Sequence, residues 1–450
     1  MTLLAINWTE AGIKAAQFIL SFSIIVTLHE LGHFLTAKWF KCRVEKFYLF
    51  FDPWFSLFKK KVGETEYGLG WVPFGGYVKI SGMIDESMDK EAMKLPPKPY
   101  EFRSKPAWQR LIIMVAGVIV NLVLGFLIYA MMLWHWGDSY IPSNTLKYGI
   151  APDSLGQSIG LRDGDQVLGV DGKYIEKFKS IPLVVILKGA KTIEVDRNGE
   201  KKVINVPDDF ASKLIKYKAI NFIDIRFPFE GIDTVLKDTP AEKMGLKKND
   251  KILSYNEIPT VYYSDFRNYI KANKNKPLTL TVLRGTDTVK LNTVISSEGR
   301  IGFGPLEPKQ SPVEEKHISY SFAQSFPAGL TKSKETLESY WLQLKLIFSG
   351  KVNPNESVGS VISIGKLYSP KWDWQSFWGI TAFFSLVLAL MNILPIPALD
   401  GGHALFTLIE MITGRKPSDK FIEYAQMTGM VLLLGLMAYA IGLDVFRLFK

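Results

Sequence analysis

The sequence predicts a multi-pass α-helical membrane protein with four transmembrane helices, a membrane-associated β-hairpin and two tandem copies of one domain outside the membrane. Hydrophobic residues make up 47% of the 450 residues and aromatic residues 13%, and the mean hydropathy is +0.09. Charged residues still reach 22%, so a membrane part and a water-exposed part must coexist in the chain. Four long apolar segments and one internal repeat divide the chain between these parts.

Charge and cysteine content exclude two classes of function. The formal net charge is +10, but no run of Lys and Arg alternates with aromatic residues as a nucleic-acid groove requires. We therefore expect no nucleic-acid partner, and the basic residues beside apolar segments suit anionic lipid headgroups instead. Cys42 is the only cysteine, which excludes disulfides within the chain and a cysteine-based metal site.

The first apolar segment, about residues 13–40, carries a polar cluster inside a predicted transmembrane helix. His29 and His33 lie one helical turn apart on nearly the same face, so both rings can reach one ion. Glu30 lies beside them and completes an H-E-x-x-H pattern, in which two histidines bind zinc and the glutamate is the general base. Such a pattern also arises by chance, but ionisable residues inside a membrane helix favour a functional site.

A zinc site of this kind needs a third protein ligand. The metzincin extension is excluded, because Thr36 and Trp39 occupy its Gly and His positions. Near the other end of the chain, Pro395 and Pro397 break an apolar helix, and the freed backbone must be buried or line a wet cavity. Asp400 follows this break and is the candidate third ligand.

Three further apolar segments are long enough to span a bilayer, at about residues 108–136, 377–396 and 427–446. Three glycines in the last segment would allow close helix contacts: Gly429, Gly435 and Gly442. Lys and Arg cluster in the loop between the first two segments, whereas residues 1–12 contain neither. The positive-inside rule then places that loop in the cytoplasm and the region between the second and third segments outside. The histidine cluster and Asp400 come near the cytoplasmic ends of their helices.

The cytoplasmic loop is predicted to hold a β-hairpin at about residues 62–82, where aromatic and β-branched residues alternate with glycines. Its Trp, Phe and Tyr residues suit a sheet that dips into the membrane interface. Gly75 and Gly76 would allow close backbone approach. A partner strand could add to the edge of this hairpin, because backbone groups there can form new hydrogen bonds. Purely structural support is the alternative.

An internal repeat lies between the second and third apolar segments. Residues 154–172 align with residues 239–257 at one constant offset, with four matched pairs: Gly160 with Gly245, Leu161 with Leu246, Asp165 with Asp250 and Leu168 with Leu253. The repeat predicts two domains, residues 137–225 and 226–306, that resemble PDZ domains. Such domains bind a C-terminus, exclude bulky partners or simply pack, and the sequence does not decide between these roles.

Residues 307–376 form the predicted linker to the third apolar segment. Its first half has a broad apolar stripe at helical spacing, typical of an amphipathic helix on the outer leaflet. Asn353 and Asn355 follow this helix. They are candidates for holding substrate, or else ordinary turn residues.

Three motifs, HELGH, FGGY at residues 74–77 and NILPIPALDGGH, are together similar to those of the site-2 protease family of intramembrane zinc metalloproteases. The resemblance covers essentially the whole chain. It implies one zinc ion bound by His29, His33 and Asp400, with Glu30 as the catalytic base and Asn392 positioning substrate or the transition state.

The resemblance also implies substrate-binding residues outside the metal site. The β-hairpin would pair with an unwound substrate strand, which makes Gly75, Gly76 and Tyr77 substrate-binding residues together with Asn353 and Asn355. One departure from the family pattern lies in the second apolar segment. Val118 replaces the proline of a frequent Gly-Pro-x-x-Asn motif that ends here at Asn121, so the resemblance leaves the role of Asn121 open.

We therefore expect an intramembrane zinc endopeptidase in a bacterial inner membrane that cleaves single-pass membrane proteins. By resemblance, its substrates are anti-sigma-factor-like proteins already cut by a site-1-type protease, and remnant signal peptides. The PDZ pair would lie in the periplasm and act as a size filter. Two alternatives account for fewer of these residues. A membrane-anchored PDZ scaffold with a structural or vestigial zinc site does not explain Glu30, and four spans without an inverted repeat argue against a transporter.

Overall fold

The computed structural model of the chain describes residues 7–83, 96–217, 221–306, 308, 311–350, 355 and 359–448. These residues form two compact units. The helical unit takes its residues from Met1–Gly137, Ser319–Trp341 and Ser357–Lys450, and the strand-rich unit from Asp138–Ile318 and Leu342–Glu356.

The elements of both units follow in chain order. The helices are α1 (Trp8–Trp39), α2 (Ala107–Trp136), α3 (Ser154–Ser158), α4 (Ile181–Lys188), α5 (Phe210–Lys216), α6 (Pro240–Lys243), α7 (Tyr263–Ala272), α8 (Phe322–Phe348), α9 (Val361–Gly365), α10 (Trp374–Ile393), α11 (Asp400–Thr413) and α12 (Asp419–Leu448). The strands are β1 (Val44–Phe51), β2 (Phe58–Val62), β3 (Thr65–Leu69), β4 (Val72–Ile80), β5 (Asp138–Tyr140), β6 (Ile150–Pro152), β7 (Gln166–Val170), β8 (Thr192–Arg197), β9 (Glu200–Asn205), β10 (Ile223–Ile225), β11 (Ile232–Val235), β12 (Lys251–Tyr255), β13 (Ile258–Pro259), β14 (Pro277–Arg284), β15 (Asp287–Val294), β16 (Phe303–Pro305) and β17 (Lys316–Ile318).

Four helices of the described chain are long and apolar enough to cross a membrane, as the sequence predicts: α1, α2, α10 and α12. Helix α2 is the most apolar of them and lies at the centre of the helical unit, where it packs against α1, α10 and α11. Ile113 and Met114 on α2 are almost fully buried in this packing. The central helix therefore holds the first and last thirds of the chain together.

The predicted β-hairpin at residues 62–82 is wrong in its pairing, although both of its strands form. In the helical unit β1 to β4 make one four-stranded sheet in the order β2-β3-β1-β4, so β1 separates β3 from β4. β1 pairs parallel with β3 and antiparallel with β4. Stacked aromatic rings favour this arrangement, because Tyr48 of β1 lies opposite Tyr77 of β4 with ring centroids 5.3 Å apart.

The amphipathic helix predicted from the apolar stripe forms as α8, and its first half packs on α2. The buried residues of α8 are Ser325, Gly329 and Ser333, which are small and spaced one turn apart. Small residues at this spacing let two membrane helices approach closely. The first half of α8 therefore has a protein neighbour on its small-residue face.

The strand-rich unit contains two hydrophobic cores that follow each other along the chain. The first surrounds the sheet β7-β8-β9 and includes Phe210 and Phe222, and the second surrounds the sheet β13-β12-β14-β15 and includes Phe266. The sheets are compatible with the predicted pair of PDZ domains.

The aligned aspartates of the repeat have the same partners in both copies. Asp165 accepts two hydrogen bonds of 2.8 Å from Arg197. Asp250 accepts bonds of 2.8 and 2.7 Å from Arg284. In each copy the arginine also donates to a glycine carbonyl, of Gly160 or Gly245. The sequence repeat thus corresponds to a repeated ion pair between a buried aspartate and a partly exposed arginine.

Candidate metal centre

The two histidines of the HELGH motif lie on one face of α1 and are buried, with 6% of each residue exposed. Their ring centroids are 4.8 Å apart, and their Nε2 atoms are 3.3 Å apart. This is the arrangement predicted from the helical period, since residues four apart lie one above the other on a helix.

The carboxylate of Asp400 meets these two histidines. Its Oδ2 atom lies 3.1 Å from Nε2 of His29 and 3.3 Å from Nε2 of His33. Asp400 is the first residue of α11, directly after the break that follows α10. The structure therefore brings together the three residues that the sequence indicates as a metal site.

The geometry of this triad fits a zinc ion. Zinc bonds of about 2.0 to 2.1 Å at tetrahedral angles separate neighbouring ligand atoms by about 3.3 Å, which matches the three distances between Nε2 and Oδ2 atoms. Oδ2 of Asp400 is a buried atom without a hydrogen-bond partner of good geometry. A buried carboxylate oxygen in this condition is costly unless a cation or donor satisfies it. The donor set of two imidazoles and one carboxylate is typical of catalytic zinc sites.

The chain reaches Asp400 through a tight, strained turn. Pro395 and Pro397 prevent α10 from continuing, and Ala398 adopts a φ of +78°, which is unfavourable for a residue with a Cβ. The backbone of the next turn packs closely against the break, because a Cβ atom on Gly401 would lie 2.1 Å from the backbone oxygen of Leu394. The Pro-x-Pro and Asp-Gly-Gly parts of the motif thus fix where the carboxylate points.

Backbone and side-chain groups of α2 contact the outer nitrogen atoms of both histidines. Nδ1 of His33 lies 2.7 Å from the backbone oxygen of Ile113. Nδ1 of His29 lies 3.2 Å from Nδ2 of Asn121. The sequence leaves the role of Asn121 open and carries no signal for Ile113, because a backbone carbonyl is present at every residue.

A cavity of about 630 Å³ opens at the triad. Glu30 lines it beside the two histidines, as the H-E-x-x-H pattern predicts for a group that acts on a water molecule. Asn392, in the last turn of α10, points its Nδ2 atom at Nε2 of His29 from 3.3 Å. A carboxylate and an amide donor therefore both face the candidate metal centre.

Several residues of this cavity were not foreseen. They come from β1, from α11 and from α12: Lys46, Phe51, His403, Gln426 and Met430. His403 lies within the quoted NILPIPALDGGH motif and contacts Gln426 through its Nε2 atom. Tertiary packing of α11 against α12 brings this pair to the cavity, and no spacing in the sequence indicates it.

The FGGY residues lie on β4, which borders the cavity. Gly76 and Tyr77 line it. Gly75 has a φ of +111° and lies against the ring of Phe51. The close approach at Gly76 is to the protein itself, since a Cβ there would lie 2.8 Å from the backbone oxygen of Tyr48 and 3.0 Å from Cγ1 of Val26.

Hydrogen bonds fix the side chain of Tyr77 on this strand. Its hydroxyl donates to Oδ1 of Asp52 at 2.9 Å, and Ser56 donates to the other carboxylate oxygen at 3.0 Å. Burial, with the hydrogen bond to Asp52, raises the pKa of Tyr77 above its ordinary value. The tyrosine therefore faces the cavity as a neutral hydroxyl-bearing ring.

The structure does not test the two asparagines of the linker. Asn353 lies outside the described residues. Asn355 is exposed and belongs to the strand-rich unit. Their predicted contact with substrate stays a prediction.

Comparison with known proteins identifies the family of the chain. The model of Peptidase family M50 matches residues 17–436. The regulator of sigma-E protease RseP of Salmonella typhimurium is 27% identical over 99% of this chain and 100% of its own length. RseP of Escherichia coli is 27% identical over 96% and 98% of the two chains. A Neisseria meningitidis protein named as a candidate zinc metalloprotease is 28% identical over 96% and 98%.

The family match spans both the histidine pair on α1 and the aspartate of α11, so it covers the whole candidate metal centre. The chain therefore belongs to peptidase family M50, the site-2 proteases, and is a zinc metalloprotease.

Proposed function

We propose that this zinc metalloprotease cleaves peptide bonds within the transmembrane segments of single-pass membrane proteins. The observation that carries the proposal is the position of the triad. His29 and His33 lie on α1, a helix apolar enough to span a membrane, and their cavity is bordered by a strand. Ionisable residues inside a membrane-spanning helix are costly and mark functional sites.

His29, His33 and Asp400 are the proposed ligands of one zinc ion. Zinc held there supplies Lewis-acid polarisation of the scissile carbonyl and lowers the pKa of a water molecule. The carboxylate of Glu30 accepts the proton of the attacking water and donates it to the leaving amine. The new C–O bond forms first, and the C–N bond then breaks as the leaving amine is protonated, so one water molecule is consumed for each bond cleaved.

Asn392 is the proposed partner of the carbonyl oxygen. Its Nδ2 atom already faces Nε2 of His29, and an amide donor in this place can bind the negative charge that develops on the oxygen. Such fixed donors are effective because they need no reorganisation during the reaction.

Strand β4 is the proposed docking edge for substrate. Within the described residues it pairs with β1 on one side only, which leaves a row of backbone donors and acceptors on the other. A substrate helix that unwinds beside β4 would recover its lost hydrogen bonds there. Gly76 and Tyr77 would contact it where they line the cavity, with Gly75 next in the strand.

The biological role is proposed from the relatives. The Salmonella and Escherichia coli proteins are named regulators of sigma-E, and by extension this protease would cleave an anti-sigma-factor-like protein after a site-1-type protease has made a first cut. Remnant signal peptides are the second proposed substrate class. The proposed location is a bacterial inner membrane, with the catalytic site near the cytoplasm and the two repeats acting outside as PDZ domains that exclude large substrates.

A scaffold with a structural zinc site is a poorer account of the same residues. A structural site needs no proton acceptor, yet Glu30 lies in the cavity beside the triad.

Cleavage by purified protein tests the assignment of Glu30. Wild type, Glu30→Gln and the matched control Glu10→Gln on the same helix are given a tagged single-pass helix with a trimmed outer domain, and zinc content is measured for each. We expect about one zinc ion in all three and cleavage by wild type and Glu10→Gln only. Equal cleavage by Glu30→Gln would remove Glu30 from the mechanism, and wild type without zinc would refute the proposed site.

The size-filter proposal has its own test with the full chain. The same test helix is offered with outer domains of increasing size. Cleavage should fall steeply once the outer domain exceeds the size of a small folded domain, whereas size-independent cleavage would contradict a filter.

A further inference from the structure

Asn121 on α2 is the most deeply buried polar side chain beside the triad. It has no exposed surface, and its backbone oxygen accepts a hydrogen bond of 2.7 Å from Ser385 of α10. Its Nδ2 atom faces Nδ1 of His29 at 3.2 Å, while its Oδ1 atom is buried without a hydrogen-bond partner. An unpaired buried acceptor at this place calls for an explanation.

His33 shows what a histidine of this site requires. Its Nδ1 atom lies 2.7 Å from the backbone oxygen of Ile113. A carbonyl oxygen can only accept, so Nδ1 of His33 carries the proton and Nε2 presents its lone pair to Asp400 and His29. This is the tautomer that binds a metal through Nε2.

His29 needs the same tautomer if its Nε2 atom is to bind the same metal. Nδ1–H would then point at the NH₂ group of Asn121, which sets one donor against another. A half-turn of the side-chain amide exchanges its oxygen and nitrogen, which have nearly the same shape. The oxygen then accepts from Nδ1–H of His29, and the unpaired acceptor is satisfied.

The same amide also suits the other tautomer of His29. With the proton on Nε2, that atom lies 3.1 Å from Oδ2 of Asp400, and Nδ1 accepts from Nδ2 of Asn121. A side chain with both a donor and an acceptor can serve both forms, and neither a carboxylate nor an apolar residue can.

We propose that Asn121 is a positioning residue for the metal centre, whose carboxamide oxygen accepts from Nδ1–H of His29 and so fixes the tautomer that binds zinc through Nε2. It plays for His29 the part that the carbonyl of Ile113 plays for His33. The inference deepens the proposed function, because it requires His29 to be a ligand. Loss of such an outer partner lowers metal affinity about 10- to 100-fold.

Zinc affinity of the full-length protein in detergent tests this inference without reference to cleavage. Two nearly isosteric variants distinguish the acceptor of the side chain from its donor. Asn121→Leu has neither donor nor acceptor, and Asn121→Asp has acceptors only. Ser385→Ala is the matched control, because it removes a contact to the backbone of Asn121 and leaves the amide in place. Affinity is measured by competition with a chromophoric chelator, and Co²⁺ absorption reports the ligand geometry.

We expect Asn121→Leu to bind zinc about 10- to 100-fold more weakly than wild type. Asn121→Asp should bind at least as tightly as wild type and keep the tetrahedral Co²⁺ spectrum, and Ser385→Ala should match wild type. Wild-type affinity in Asn121→Leu would overturn the inference. If Asn121→Leu does not fold, Asn121→Asp becomes the deciding variant. Zinc binding by Asn121→Asp as weak as that of a variant lacking a metal ligand would show that His29 needs the NH₂ group and not the oxygen. Wild type that binds no zinc would refute both this inference and the proposed function.

Discussion

The backbone of Gly117 lies against the ring of His33, so closely that a Cβ atom on Gly117 would come within 2.4 Å of its Nε2 atom. The same Cβ would lie 2.7 Å from Cε1 of His29. Helix α2 thus leaves no space for a methyl group between itself and the two proposed ligands. The absence of a side chain at one residue is part of how the metal centre is built.

Gly117→Ala should therefore lose both zinc and activity. The added methyl group must push the two rings apart or displace α1 from α2, and overpacking of this kind costs about 1 to 3 kcal/mol. Zinc content and cleavage are measured on the purified variant. Gly12→Ala on α1 is the control, because a Cβ there has no neighbour within 4 Å. Full zinc occupancy in Gly117→Ala would show that the rings can move without losing the ion.

A second glycine fixes the last helix against the proline break. A Cβ on Gly429 of α12 would lie 1.9 Å from the backbone oxygen of Pro397, whereas a Cβ on Gly435 or Gly442 would meet nothing within 4 Å. The sequence indicates all three glycines equally as sites of close helix contact. Only the packing of the described residues separates them.

Gly429→Ala should destabilise the protein by about 1 to 3 kcal/mol and reduce cleavage, because α12 or the turn before Asp400 must shift. Gly435→Ala is the control, because it makes the same substitution on the same helix. It should not lower the free energy of unfolding, since alanine is the better helix former. Thermal unfolding in detergent and cleavage rates measure both. Equal midpoints for the two variants would contradict the contact.

The carboxylate of Asp444 on α12 holds the start of α9. Only 3% of the residue is exposed, and it accepts hydrogen bonds from the backbone and hydroxyl groups of Ser360 and of Ser363, at 2.6 to 3.1 Å. It also pairs with Arg447 at 3.0 Å. A charged acceptor with this many donors is strongly stabilising.

Asp444→Leu should lower the free energy of unfolding by about 3 kcal/mol or more, because buried donors lose their acceptor. Arg447→Gln changes the more exposed partner and should cost below about 1 kcal/mol. Thermal unfolding of the detergent-solubilised variants distinguishes the two. A wild-type midpoint for Asp444→Leu would mean that water replaces the carboxylate.

The sequence was sufficient for the spans and for the triad because each depends on a regular period or a strong helix breaker. His29 and His33 follow from the 3.6-residue period, and Asp400 from the two prolines before it. The order of strands does not follow in this way. β1 lies between β3 and β4, where Tyr48 of β1 stacks on Tyr77 of β4. No local pattern indicates a contact between residues so far apart in the chain. Asn121 likewise resembles any other polar residue in a membrane helix until its distance from His29 is known.

The ion pair of the second repeat should make that repeat sensitive to acid. Burial raises the pKa of Asp250, but hydrogen bonds from Arg284 and from the backbone of Lys247 outweigh it, and the pKa lies below its ordinary value of 3.8. A carboxyl with a lowered pKa in the folded state contributes full stability above that ordinary value. The contribution is lost as the pH falls below it towards the folded-state pKa.

Hydrogen exchange of β12 and β14 in the full-length protein measures this dependence. In wild type, protection of these strands should decrease as the pH falls from about 4 to 2, after correction for the intrinsic exchange rate. Arg284→Met removes the charged partner of a buried carboxylate and should lower the protection of these strands at neutral pH. Asp233→Asn, at a solvent-exposed ion pair with Lys248, is the control and should change neither the protection at neutral pH nor its dependence on pH. Undiminished protection in Arg284→Met would contradict the role of the pair.

Gly76 offers a way to separate substrate positioning from metal binding. A Cβ there would collide with Tyr48 and Val26 and would lie 3.7 Å from Cγ of Glu30. Gly76→Ala should therefore displace β4 and disturb Glu30 while the triad on α1 and α11 stays intact. We expect normal zinc content with cleavage reduced at least about 10-fold, since a misplacement of about 1 Å can cost far more than that. Loss of zinc together with activity, as expected for Gly117→Ala, would instead mean that β4 supports the metal centre itself, and unchanged cleavage would remove this strand from the proposed mechanism.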